Sequence, residues 1–183
     1  MLPCGTVPSL YNQGEMTNEL WLRRKWTLRA HGEKVVFIKK RNERAAHVWM
    51  KAFLWALYLP QYPDLAIEIS IGGRYKPDVV AMDTLRGRPR FWGEAGRVGV
   101  EKIHKLTRRY RETHFAMAKW DTPLAPYVEI VTEALADLRR DAPFDLLTFP
   151  PDSAERFIDA RGVIRISHED LTWIRLDAEA AEV

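Results

Sequence analysis

Two acids near the middle of the chain, Asp78 and Glu94, have the residue type and the spacing to share one metal ion. Asp78 follows Pro77 in the strand-like run YKPDVVAMD, and Glu94 lies in a second such run, RFWGEAG. Sixteen residues separate them, with the polar turn TLRGRPR between, so a strand pair sets them side by side. Carboxylates are hard oxygen donors, and one or two of them, with water and phosphate, suffice for Mg²⁺ or Mn²⁺. An ion held there would polarise a phosphodiester. A third acid, Glu43, opens the preceding helix and is placed to join the cluster. Glu68 and Asp83 read instead as parts of a solvated face or turn.

Cations follow the second acid. Between 97 and 111, Arg97, Lys102, Lys105, Arg108, Arg109 and Arg111 stand against Glu101 alone. A basic helix directly after an acidic strand offers phosphate contacts beside a metal. Arg97, Arg108 and Arg109 are the candidates to hold a nucleic-acid backbone.

The elements that must position these residues are legible from periodicity. WLRRKWTLRA and EKVVFIKK predict a hairpin turning at His31-Gly32, with one basic, solvated face. Asn42 is the expected N-cap of the helix NERAAHVWMKAFLWALYL, which Pro60 stops; Trp49, Phe53, Ala56 and Leu57 form its buried face. Strands are expected in LAIEISIGG, YKPDVVAMD and RFWGEAG. A helix runs from about Val98 to Arg111, with Val100, Ile103 and Leu106 inward. THFAMAKW reads as a buried strand parallel to its neighbour. VEIVTEALADLRR is a further helix, FDLLTF a strand, and VIRISHEDLTWIRL a terminal hairpin. The order after Asn42 is α-β-β-β-α-β-α-β, which defines a single α/β domain with a mixed central sheet flanked by helices and an N-terminal β-hairpin. Its boundaries are 19–177, and residues 1–18, rich in Pro, Gly, Ser and Asn, form an arm.

Composition narrows the function. A chain of 183 residues that is 46% hydrophobic supports a packed core, and a net charge of +3 leaves any nucleic-acid role to the placement of charge. The lone Cys4 excludes an intrachain disulfide and a Cys-rich zinc site. No run is long and apolar enough for a membrane span, and the first residues lack a signal-peptide pattern, so a cytoplasmic protein is expected. His31, His47, His104, His114 and His168 show no zinc spacing; His47, one turn after Glu43, reads as a helix-surface residue. Ser167-His168-Glu169-Asp170 reads as a turn, and the tryptophans as core.

Pro77-Asp78 and Glu94-Ala95-Gly96, flanked by helices in this order, resemble the PD-(D/E)xK, or restriction-endonuclease-like, nuclease superfamily. Within it the chain is most like the YaeQ family, which shares a helix with an early glutamate, a PD strand, an acid-x-Gly strand end and a basic helix. The likeness spans roughly Trp21 to Phe149. It implies an αβββαβ core and Mg²⁺- or Mn²⁺-dependent hydrolysis of DNA or RNA, with Asp78, Glu94 and Glu43 as metal ligands. Gly96 departs from the pattern, which places lysine there. The resemblance implies that the cation moves into the following helix, as Lys105 first, Lys102 next, or Arg97. The alternative on the same fold is a nucleic-acid-binding or protein-interaction domain without chemistry.

Overall fold

A computed structural model describes residues 23–176. The arm at 1–18, Cys4 and the last residues, 177–183, lie outside the described residues. Strands β1 (Lys25–Ala30) and β2 (Glu33–Ile38) form the expected hairpin. His31 and Gly32 both have positive φ, 50° and 85°, as a two-residue turn of this hand requires. Alternate β1 residues Trp26, Leu28 and Ala30 are buried, while Lys25, Thr27 and Arg29 face outward.

Helix α1 (Ala45–Tyr58) carries the hairpin on one side and the main sheet on the other. This helix is therefore buried from Val48 to Tyr58, well beyond the single face read from periodicity. It starts later than Asn42 predicts. Glu43 turns its carboxylate back to accept the Lys40 backbone N–H at 3.0 Å, and the chain stays extended through Arg44, which is the N-cap.

The main sheet has six strands in the order β3-β4-β5-β6-β7-β8: β3 (Ala66–Ile67), β4 (Val79–Asp83), β5 (Arg88–Ala95), β6 (His114–Trp120), β7 (Phe144–Phe149) and β8 (Thr172–Leu176). The β3–β4, β4–β5 and β7–β8 pairs are antiparallel, and β5–β6–β7 are parallel. Helices α2 (Val100–Arg109) and α3 (Ala125–Leu135) make the two parallel crossovers. They cover the face opposite α1 with a second core of Trp92, Ile103, Leu106, Phe115, Met117 and Val131. The result is a single mixed α/β domain whose element order from α1 to β6 is αβββαβ.

Three local expectations need correction. The strand LAIEISIGG is only two residues long, because Glu68 takes a left-handed conformation (φ 51°) that ends the ladder. Val100 opens α2 and is 38% exposed, whereas Ile103 and Leu106 face inward. Among the described residues, the C-terminal segment 163–176 makes no hairpin with itself. Val163 and Ile164 bridge to Arg29 and Ile158, a short helix α4 (Ser153–Phe157) precedes them, and β8 pairs with β7. Between them, Ser167 and Asp170 form a reciprocal capping box around a 3₁₀ turn that redirects the chain.

Candidate active site

The end of the β4–β5 pair brings the two acids near each other. The ladder stops at Val79 opposite Gly93; Asp78 immediately precedes β4, and Glu94 immediately follows Gly93 in β5. The Asp78 backbone N–H donates to the Gly93 carbonyl at 3.1 Å, and its Oδ2 accepts the Ala95 N–H at 2.8 Å. The Asp78 carboxylate is thereby fixed to the end of β5. Glu94 is 8% exposed, and its Oε1 accepts the Trp92 indole N–H at 2.7 Å and pairs with the Lys102 ammonium at 2.7 Å. Burial pushes the Glu94 carboxyl above its ordinary range; Lys102 and Trp92 oppose the rise and the Asp78 charge adds to it.

The cation positions separate cleanly. Lys102 reaches Glu94, and its ammonium also lies 5.5 Å from the centre of the Tyr75 ring. Lys105, nearly a turn further on, pairs with Glu101 on the exposed side of α2. Arg97 lines an open cleft of about 780 Å³ together with Lys40, Glu43, His47, Gly96 and Lys119. Arg108 and Arg109 lie at the other end of α2, in a different cleft.

Gly96 has a structural reason to be glycine. Its φ is 81°, a left-handed conformation, and a Cβ there would stand 3.4 Å from His47 Nδ1. Lysine at this position would be strained and crowded. The adjacent strand supplies a cation instead. The Lys119 ammonium donates to the Gly96 carbonyl at 2.5 Å and sits 3.8 Å over the Tyr127 ring. Lys119 is 3% exposed, and burial, with the Arg97 charge, brings its pKa down to about 8 against the pull of Glu94. Gly96→Ala should lower unfolding stability by about 1–2 kcal/mol through the left-handed backbone alone, readable by urea denaturation. Gly96→Lys should be at least as destabilised and should gain no activity.

A second charge cluster adjoins the acids. Lys51, 1% exposed, pairs with Glu43 at 2.5 Å and also with Glu68; Lys40 pairs with Glu68 at 2.6 Å. A helix buried all round leaves Lys51 no path to water, so its ammonium must find acids inside. Burial opposes ionisation of Glu68, yet Lys40 and Lys51 outweigh it and hold the carboxyl at about 2. Glu68 is therefore an ion-paired residue rather than part of a solvated face. His47 lies between the clusters, with Nε2 at 3.6 Å from Glu43 Oε1 and 3.5 Å from Asp78 Oδ1.

Among the described residues, no three His, Cys, Asp or Glu side chains are gathered tightly enough to hold a metal on their own. Two carboxylates at one end of a strand pair still offer hard oxygens of the kind Mg²⁺ accepts when water and phosphate complete its shell. Asp78 and Glu94 fit that role, while Glu43 is joined to Asp78 only through His47.

Sequence reasoning missed Lys51, Lys119 and the contact of His47 with Asp78. It also missed Asp145, buried between β6 and β8. Asp145 Oδ2 accepts from Tyr58 at 2.6 Å, lies 2.7 Å from His114 Nε2 and takes Arg175 Nη2 at 2.9 Å, with Arg175 Nε on Oδ1 at 2.8 Å. A signal did exist for both lysine and aspartate. A charged residue inside an otherwise apolar helix or strand, as in VWMKAFLW or FDLLTF, must be buried with a partner.

No family model matches the chain, and no curated protein sequence matches it. Among solved structures, the YaeQ protein from Xanthomonas axonopodis pv. citri superposes with a TM-score of 0.55 at 14% identity, covering 79% of this chain and 82% of that one. The YaeQ protein from Pseudomonas syringae gives 0.53 at 18% identity, covering 78% and 80%. At these identities the likeness establishes a shared fold, and that fold is the one the YaeQ proteins adopt.

Proposed function

We propose that this chain is a metal-dependent phosphodiesterase of the PD-(D/E)xK type that cleaves nucleic acid. The observation that supports it most is the meeting of Asp78 and Glu94 at the end of the β4–β5 pair, with Asp78 bound to the Ala95 N–H, Lys102 on Glu94 and Lys119 one strand away. Asp78 and Glu94 hold Mg²⁺ or Mn²⁺ in this reading. A divalent ion there supplies Lewis-acid charge at the phosphate. Lys102 opposes the burial that raises the Glu94 carboxyl and so favours its anionic form. Lys119 takes the part of the missing motif lysine, placing an ammonium at the cleft where charge develops on the phosphate. Arg97 adds a permanent charge beside it. Glu43 and His47 position Asp78 from α1.

The test is cleavage of labelled single- and double-stranded DNA and RNA in Mn²⁺, with and without substitutions at Lys119. Lys119→Met should lower the rate about a hundredfold. An ammonium with a pKa near 8 is charged below that value, so wild-type activity should fall as pH rises through about 8. Lys119→Arg keeps its charge to much higher pH and should lose that alkaline limb. An identical alkaline limb in wild type and Lys119→Arg would remove Lys119 from the reaction.

One observation favours a second reading, a nucleic-acid-binding domain without chemistry. Each acid of the site already has a side chain beside it: the Lys51 ammonium at Glu43, the His47 imidazole at Asp78 and the Lys102 ammonium at Glu94. That reading predicts salt-dependent binding of oligonucleotide and no cleavage in any divalent ion.

A further inference from the structure

The far end of α2 carries a cleft of different chemistry. About 490 Å³ in volume, it is lined by Arg86, Arg88, Arg90, Arg108, Arg109 and Arg111. The turn before β5, the start of β5 and the end of α2 each contribute, and all six side chains are exposed. Three acids share the lining: Asp83, Glu112 and Asp141. Arg86 is taken by Glu112 at 3.2 Å and Asp83 at 3.8 Å, and Arg90 by Asp64 at 2.5 Å. Arg88, Arg108 and Arg111 have no acidic partner among the described residues.

The bland duties of these residues do not account for the whole group. A cation in the last turn of a helix complements the helix dipole, which explains Arg108 and Arg109. Arg88 and Arg111 lie outside the helix and gain nothing from it. A merely solvated face would accept lysine as readily as arginine, yet no lysine lines this cleft, while Lys40 and Lys119 line the other. Arginine presents a planar fork that grips phosphate with two parallel hydrogen bonds, and it does not titrate. Arg140 adds positive charge from within. It is 5% exposed, donates to the Thr113 carbonyl at 2.7 Å, and has no hydrogen-bond partner for Nη1; Thr113 and Asp141 on either side of it line the cleft.

We infer that this arginine cleft anchors the phosphate backbone of a nucleic-acid strand at a distance from the acid pair. That the polymer is nucleic acid rests on the function proposed above. Arg88 in the cleft and Glu94 in the acid pair stand on the same strand, β5, roughly 20 Å apart. A nucleic-acid strand rising about 3.4 Å per nucleotide crosses that interval in about six nucleotides. The cleft therefore holds the strand several nucleotides from the bond at the acids and sets a minimum substrate length.

The test is a fluorescence-anisotropy titration of labelled single-stranded DNA in EDTA over a range of NaCl. Binding should weaken with salt at a slope of about −0.7 per phosphate contact. The triple variant R88A/R108A/R111A should bind more than tenfold more weakly at ~0.1 M salt, with the slope reduced by about 2. R88K/R108K/R111K should restore the slope, which separates lost phosphate contacts from a damaged fold. A wild-type protein that fails to bind, or a triple alanine variant with unchanged affinity and slope, overturns the inference. The assay contains no divalent ion and reads binding alone, so intact binding without cleavage would count against the nuclease reading and leave the anchor standing.

Discussion

Asp78→Asn and Glu94→Gln are each expected to lower divalent-ion-dependent cleavage by at least about a hundredfold while leaving the protein folded. The expectation follows from how each carboxylate is held. Asparagine at 78 keeps a carbonyl oxygen for the Ala95 N–H, so the end of β5 remains capped. What it removes is the negative charge that acts on Glu94 from the start of β4. Glutamine at 94 still accepts from the Trp92 indole but no longer forms an ion pair with Lys102. Both substitutions keep the side-chain shape and delete one hard anionic donor. Rates measured on a purified substrate, with urea denaturation as the control for folding, check the prediction. Unchanged rates in both variants would assign the pair a purely structural role.

Asp145→Asn is expected to have the largest effect on stability, about 3 kcal/mol at pH 7, because it removes the charged partner of a buried network. Asp145 is fully buried, and Arg175, His114 and Tyr58 all converge on it. Burial alone would raise its pKa. The Arg175, His114 and Tyr58 hydrogen bonds reverse that effect and hold the carboxyl well below the ordinary aspartate range. A carboxyl whose folded pKa is depressed contributes stability that is present above the unfolded value of about 3.9. That contribution is lost as pH falls through the folded value. The deficit of Asp145→Asn should therefore be full at pH 7 and shrink progressively below about pH 4. For a domain of this size, about 3 kcal/mol lowers Tm by roughly 6–12 °C. Urea denaturation of wild type and variant at pH 7 and pH 3 tests it; a gap that is equal at both pH values would show that the charge is not what the network uses.

Much of this architecture is legible in the sequence. The hairpin at His31-Gly32, the αβββαβ order and the parallel strand THFAMAKW follow from alternation, helical spacing and turn residues, which are local signals. That Asp78 and Glu94 come to the same end of the β4–β5 pair is legible for the same reason, since the pair is joined by a short turn. Features set by distant chain are not legible. The burial of α1 on both sides depends on the hairpin folding over it, so the apolar run around Lys51 signals a buried lysine but not its partners, Glu43 and Glu68. Lys119 stands at the end of an apolar strand, and only the parallel pairing of β6 with β5 carries its ammonium to Gly96. The side chains of α2 diverge for a geometric reason: Lys102 lies in its first turn, over the end of β5, whereas Lys105 has rotated toward solvent. Glu68 is cut off from its expected strand by a left-handed backbone, which a glutamate seldom adopts and no local pattern announces.

On the proposed function, the divergence of the two basic regions gives α2 two roles. Its first turns present lysine to the acid pair, and its last turn presents arginine to a cleft at the other end. A strand lying along the helix would meet titratable ammonium groups at the site of chemistry and permanent guanidinium groups at the anchor.

The central claim is that Asp78 and Glu94 form a metal site, and calorimetric titration of Mn²⁺ into the wild-type protein and into Asp78→Ala tests it most directly. Saturable binding in the wild type, lost in Asp78→Ala, is the predicted result. Binding that survives in Asp78→Ala, or a wild-type protein that binds no Mn²⁺ even with oligonucleotide present, would contradict it.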